Sequence, residues 1–178
     1  MHLIFEGVHD VGKSTLINKF IETYKEKFIK FDCRRKFGFS NSRLGNISDF
    51  AIGANFSISF FLNNLTLDRS IIFDRLHLSE YAYSRVIRGM QESEALERFE
   101  IVDCNLTSNV CLIYLCNSLE VINSRMKKRN KHYDELETLK LIDKLDVAYE
   151  MSKMNKIKIL TDDIEDNFKT IINHLGVQ

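Results

Sequence analysis

The chain has 178 residues, 44% of them apolar, and its 25 Lys+Arg balance 25 Asp+Glu to give no net charge. That length predicts a single domain, 1–178, with enough chain to bury a core. The charge balance argues against a nucleic-acid-coating protein or a polybasic membrane binder. No apolar run approaches the roughly 20 residues of a membrane span.

The first element is an apolar strand at Leu3-Ile4-Phe5. A strand this early leaves no room for a leader and predicts a cytoplasmic location. It runs into Gly7-Val8-His9-Asp10-Val11-Gly12-Lys13-Ser14-Thr15, a complete G-x-x-x-x-G-K-[ST] pattern. Leu16, Ile17, Phe20, Ile21 and Tyr24 then recur at helical spacing. Strand, glycine turn and amphipathic helix in that order are the context of a phosphate-binding P-loop. Gly7, His9, Asp10, Val11, Gly12, Lys13, Ser14 and Thr15 are therefore read as the ATP cradle. Backbone N–H groups and the positive helix end face the phosphates. Lys13, taken as a solvent-exposed side chain, reaches the outer ones, and Ser14 offers its hydroxyl to Mg2+.

Phe28-Ile29-Lys30-Phe31 reads as a second strand, followed by a polar, basic connection over 33–47 with Arg34, Arg35 and Arg43. A long helix is predicted over 48–67. Ser70-Ile71-Ile72-Phe73 is a third strand ending at Asp74, with Arg75 next. Helical patterning runs from Leu78, breaks near Gly89 and resumes through Leu96, Phe99 and Val102. Val110-Cys111-Leu112-Ile113-Tyr114-Leu115 is the fourth strand. A helix with Leu119, Ile122 and Met126 leads into a basic run of Arg125, Lys127, Lys128, Arg129 and Lys131, and Leu141, Leu145 and Ala148 mark another helix. Ile157-Lys158-Ile159-Leu160 is the fifth strand, and Ile164, Phe168, Ile171 and Leu175 share one face of the last helix.

Short apolar strands alternating with helices predict an α/β fold with a five-stranded parallel sheet covered on both faces. Right-handed crossovers bring every strand's C-terminal end to one edge, where ligands bind. Gly7 to Ser14, Arg34 and Arg35, and Asp74 and Arg75 all fall there. The fold class is thus a three-layer α/β fold with the phosphate loop at that edge. The cysteines Cys33, Cys104, Cys111 and Cys116 show no C-x-x-C spacing. The apolar run around Cys111 and Cys116 predicts buried, reduced thiols. A guanine-nucleotide switch is excluded by its missing motifs. Asp74-Arg75-Leu76-His77 lacks the glycine of D-x-x-G, and Asn130-Lys131-His132-Tyr133 does not end a strand.

Phe5-Glu6-Gly7 followed by Gly12-Lys13-Ser14-Thr15 resembles the opening of thymidylate kinases. Asp74-Arg75, Ser79 and Ala82-Tyr83 resemble their D-R-x-x-x-S-x-x-A-Y segment. The resemblance implies that Arg75 grips the acceptor's phosphate, and that Asp74 orients Arg75 or holds Mg2+ through water, beside Ser14. It implies that Ser79 and Tyr83 face the nucleoside; where the chain departs from the family, Asp10, Arg34 and Arg43 stand in as acceptor contacts, and the carboxylate of Glu80, next to Ser79, is read as a further contact on the base side. The resemblance also implies a three-layer P-loop kinase fold with a short basic lid at about 125–135, in which Arg125 and Arg129, four apart on one helix face, are the lid arginines. The implied catalytic set is Lys13, Asp74, Arg75, Arg125 and Arg129. The chain departs from the family at three places. His9 stands where the family has a P-loop aspartate, the chain has no proline, and Ala54-Asn55-Phe56 carries no arginine.

The expected activity is ATP- and Mg2+-dependent phosphorylation of a deoxynucleoside monophosphate. The acceptor would be thymidylate or a related deoxynucleotide, a modified one included. A deoxynucleoside kinase, a polynucleotide or modified-base kinase, and a non-catalytic ATP-binding regulator are the alternatives. The expected partners are small-molecule nucleotides, with neither a membrane nor nucleic acid. A homodimer is left open.

Overall fold

The strand that precedes the glycine turn, β1 (His2–Glu6), is buried at every position. It is the central strand of a parallel sheet whose order is β2-β3-β1-β4-β5. β3 (Ser70–Asp74) and β4 (Val110–Leu115) flank it, and β2 (Phe28–Asp32) and β5 (Asn155–Ile159) form the edges. The structure, a computed structural model, describes residues 1–32, 69–106, 109–130, 134–160 and 162–176. Among these the helices are α1 (Lys13–Thr23), α2 (His77–Val86), α3 (Glu92–Asn105), α4 (Leu119–Lys128), α5 (Glu135–Met151) and α6 (Ile164–Leu175). The predicted helix over 48–67, the basic connection with Arg34, Arg35 and Arg43, and Cys33 and Lys131 lie outside the described residues.

β1 and β4 read as continuous apolar runs because a central parallel strand is covered on both faces. On one side α1 packs against α6, and on the other α2 packs against α5 and α3. Phe20 of α1 fills the first layer, with ring contacts to Phe5, Phe28 and Phe168 at 5.8, 6.2 and 4.6 Å. β5 differs from its prediction. It starts at Asn155, and Leu160 lies beyond its end, 68% exposed. The register Cys111↔Asn155 through Leu115↔Ile159 on β4 sets those limits, and apolar content alone does not reveal it. Cys111 is buried, and burial pushes its thiol up to about 11. Cys104 is exposed and Cys116 half-buried. No helix among the described residues is long and apolar enough to cross a membrane.

Three of the six described helices carry their own caps: Ser118 for α4, Asp134 for α5 and Asp163 for α6 each accept from a backbone N–H of the first turn. α2 has no such side-chain cap of its own. Asp103 of α3 ties the start of α2 to the end of α5. Its carboxylate accepts from His77 Nε2 at 3.1 Å, Ser152 Oγ at 2.5 Å and the Lys153 amide at 2.9 Å. Burial pushes the Asp103 carboxyl up, but these hydrogen bonds outweigh it and hold the group below its ordinary value.

At the opposite end of the sheet, buried His2 accepts the Ile71 N–H through Nδ1 at 2.9 Å. Burial, and then the adjacent N-terminal charge, lower its pKa. Because the unfolded chain takes up this proton more readily, stability is full above the ordinary value of about 6.5 and falls as pH drops below it. Urea unfolding at pH 7.5 and 5.5 should show this loss. His2→Gln, which keeps an acceptor but takes up no proton, should flatten it.

Candidate active site

The turn between β1 and α1 alternates unusual backbone conformations: φ is 138° at Gly7, 58° at Asp10 and 108° at Gly12. At Gly7 a Cβ would stand 2.3 Å from the carbonyl oxygen of Leu115 on β4, so only glycine fits. α1 then starts with Gly12 as its cap residue and no side-chain cap. The N-terminus of a helix directs its first N–H groups and its positive dipole end toward an anion. Ser14 and Thr15 are exposed beside them.

Lys13 corrects one expectation. It is 5% exposed, not a solvent-facing side chain, and its Nζ donates to the carbonyls of Gly7 at 2.8 Å and Val8 at 2.6 Å. The ammonium is thereby held over the concave side of the loop.

Arg75 follows β3 with a left-handed backbone, φ 74°. Its amide donates to Phe5 O on β1 at 2.9 Å. The guanidinium is 5% exposed, lies 5.2 Å from the Tyr83 ring centroid and donates from Nη1 to Ser79 Oγ at 3.1 Å. Tyr83 in turn meets His9 edge-on at 5.9 Å. The Nε and Nη2 edge of Arg75 has no hydrogen-bond partner among the described residues. Glu6, absent from the predicted site residues, is fully buried. It accepts from Leu76 N at 2.8 Å, from Ser79 N at 3.3 Å and from the Ser79 hydroxyl. The available signal was a charged residue closing an otherwise apolar central strand.

The basic end of α4 closes over this loop. Arg125 donates to the Asp10 carbonyl at 3.1 Å and pairs with Asp162 at 2.7 Å. Asp162 also accepts from Asn117. Arg129 pairs with the buried Asp10 carboxylate at 2.5 Å. Together these parts line a groove of about 440 Å³ with Lys13, Arg75, Arg125, Lys128 and Arg129, and among the described residues Asp10 is its single carboxylate, with His9, Ser14 and Thr15 beside them. Such a cation excess in a concave site selects a polyanion.

Asp74, Ser79 and Glu80, all predicted site residues, are buried and do not line this groove. Asp74 is fully buried, and Lys30 on β2 lies 3.8 Å from its carboxylate. Ser79 is buried, with its hydroxyl engaged by Glu6 and Arg75. Glu80 turns away from the acceptor side into the α2–α3 contact, where it pairs with Arg88. Burial raises its pKa, while Arg88 and then Arg98 pull it back. The reason is helix phase: Ser79 and Tyr83 share one face of α2, and Glu80 sits about 100° away. Among the described residues no cluster of three or more His, Cys, Asp or Glu forms a metal site. Among the described residues the exposed Ser14 hydroxyl is the group that would hold a magnesium ion arriving with a triphosphate.

No family model and no curated protein matches the chain. Solved structures do. Deoxyadenosine kinase from M. mycoides, with products dCMP and a flexible dCDP bound, aligns over 100% of both chains at TM-score 0.68 and 18% identity. The same enzyme with bound dCTP gives 0.69 and 20%, again over both whole chains. The YorR protein from Bacillus subtilis, in complex with phosphorylated GDP, gives 0.70 and 17% over 99% of this chain and 96% of that one. The chain has the P-loop kinase fold of these proteins. The thymidylate kinase resemblance rests on the two sequence motifs.

Proposed function

We propose that the protein transfers the γ-phosphoryl group of ATP to a deoxynucleoside monophosphate, thymidylate or a related deoxynucleotide. The observation that carries this reading is Arg75. Ser79 and Tyr83 hold one end of its guanidinium, and the Nε–Nη2 edge, the side able to bind two phosphate oxygens in parallel, is buried without a hydrogen-bond partner among the described residues. A nucleoside has no such group to offer.

In this mechanism the loop amides and Lys13 hold the donor phosphates and Arg75 holds the acceptor phosphate in line. The bond from the γ-phosphorus to the β–γ bridging oxygen breaks, the bond to an acceptor phosphate oxygen forms, and ADP leaves. Arg125 and Arg129 stabilise charge spread over the transferring oxygens, and lid closure excludes water. Ser14 is the residue that would hold a magnesium ion, which would supply neutralisation of phosphate charge. Positioning and electrostatics supply the acceleration, with no protein nucleophile. Arg125, braced by Asp162 and the Asp10 carbonyl, is the better placed lid residue. Arg125→Ala should lower kcat about a hundredfold or more with little change in ATP affinity. Arg129→Ala, at a 62% exposed side chain, should do less. Steady-state kinetics with ATP titrations separate the two.

A deoxynucleoside kinase is the second reading, favoured by the likeness to deoxyadenosine kinase structures. One acceptor panel with magnesium-ATP decides: the four deoxynucleoside monophosphates, 5-substituted deoxyuridylates, the free deoxynucleosides and a 5′-hydroxyl oligonucleotide, read by ADP release. Monophosphates outpacing nucleosides supports the proposal, and the reverse ranking replaces it with the second reading. ATP binding without turnover on any acceptor would make the protein a nucleotide-binding regulator.

A further inference from the structure

We infer that Glu6 is a positioning residue that sets the direction of the Arg75 guanidinium through Ser79, joining the start of the phosphate loop to the acceptor side of the groove. The inference rests on the reading that Arg75 takes the acceptor's phosphate.

Glu6 is 0% exposed, and no lysine or arginine among the described residues pairs with it. A carboxylate so placed is costly unless its oxygens are well used. Both are used on one target. Oε1 accepts the amides of Leu76 and Ser79, the cap position and third residue of a helix that lacks a cap of its own. Oε2 accepts from the Ser79 hydroxyl. The sense of the remaining link is fixed by donor count. Arg75 Nη1 can only donate, so Ser79 Oγ accepts from it at 3.1 Å, and the single hydroxyl proton goes to Glu6. The relay therefore runs one way, from Arg75 through Ser79 to Glu6.

The backbone is held in the same manner. Phe5 O takes the Arg75 amide at 2.9 Å and Glu6 takes the next one, at Leu76. Consecutive residues of β1 thus clamp a left-handed turn that a non-glycine residue adopts only under constraint. Gly7 follows directly, so the strand end that opens the phosphate loop is also the strand end that aims Arg75.

The test measures acceptor binding by titration calorimetry and steady-state kinetics, with the fastest monophosphate of the panel as probe and an imido analogue of ATP on the donor side for binding. Ser79→Ala should weaken acceptor binding and raise its KM about tenfold while the KM for ATP stays within twofold. Ser79→Thr, which keeps the hydroxyl, should restore most of the loss. Glu6→Gln should match Ser79→Ala. In an Arg75→Ala background, Ser79→Ala should add less than a twofold effect, because the relay has nothing left to aim. Fully multiplicative losses in that background would overturn the relay, as would an unchanged acceptor KM in Ser79→Ala. A parallel rise in ATP and acceptor KM alongside a lowered Tm would reduce Glu6 to a structural cap. If Glu6→Gln does not fold, the serine series carries the test alone. If Arg75→Ala leaves acceptor binding intact, the acceptor role of Arg75 fails, a result separate from failure of the relay.

Discussion

Lys13→Ala should abolish phosphoryl transfer, lowering kcat/KM by at least a hundredfold to a thousandfold, about 3–4 kcal/mol in the transition state. The ammonium sits over the loop's concave side, 5% exposed, where low dielectric strengthens its pull on developing phosphate charge. The substitution should also be felt in stability. Nζ donates to Gly7 O and Val8 O, and a net hydrogen bond is worth about 0.5–1.5 kcal/mol. Losing both should lower Tm by several degrees, since about 1 kcal/mol moves a domain of this size by roughly 2–4 °C. Lys13→Met, which keeps the apolar stem, separates the two effects: it should retain more of the Tm and none of the turnover. Single-turnover assays beside thermal melts measure both. Turnover within tenfold of the parent would remove the loop lysine from the mechanism.

For Arg75→Ala the expected outcome is a raised acceptor KM together with a lowered kcat, a combined loss of about 2–5 kcal/mol. Both parameters move because the same side chain binds the acceptor and aligns it. Alanine at this position adopts the left-handed backbone at a cost similar to arginine's, so the comparison isolates the guanidinium. Arg75→Lys should rescue poorly. A single ammonium cannot donate to Ser79 and still present a parallel pair of N–H groups, and it loses the planar stacking on Tyr83. A lysine variant with near-parent kinetics would show that charge alone suffices and that the fork geometry is idle.

The strands, the phosphate loop, the break between α2 and α3, and the gathering of Arg75 with the loop at one sheet edge were legible in the sequence. Each depends on local composition or on one short motif. What stayed hidden depends on which neighbour a side chain meets. Lys13 reads as an exposed lysine until the loop curls its own carbonyls around it. Glu80 beside Ser79 reads as an acceptor contact until helix phase carries it to Arg88. Asp10 gives no hint in sequence that its partner is Arg129, well over a hundred residues away. Glu6 is informative only once β3 is known to lie next to β1. The limits of β5 follow the same logic, being set by register on β4.

Gly7 turns against the last carbonyl of β4, 2.3 Å from where any side chain would begin. The nucleotide loop is therefore not a portable cassette. Residues 7–15 grafted onto another sheet would keep their spelling and lose their shape unless the recipient's neighbouring strand also ended against that hydrogen. Under mutational drift, position 7 should stay frozen even while the surface around it changes freely.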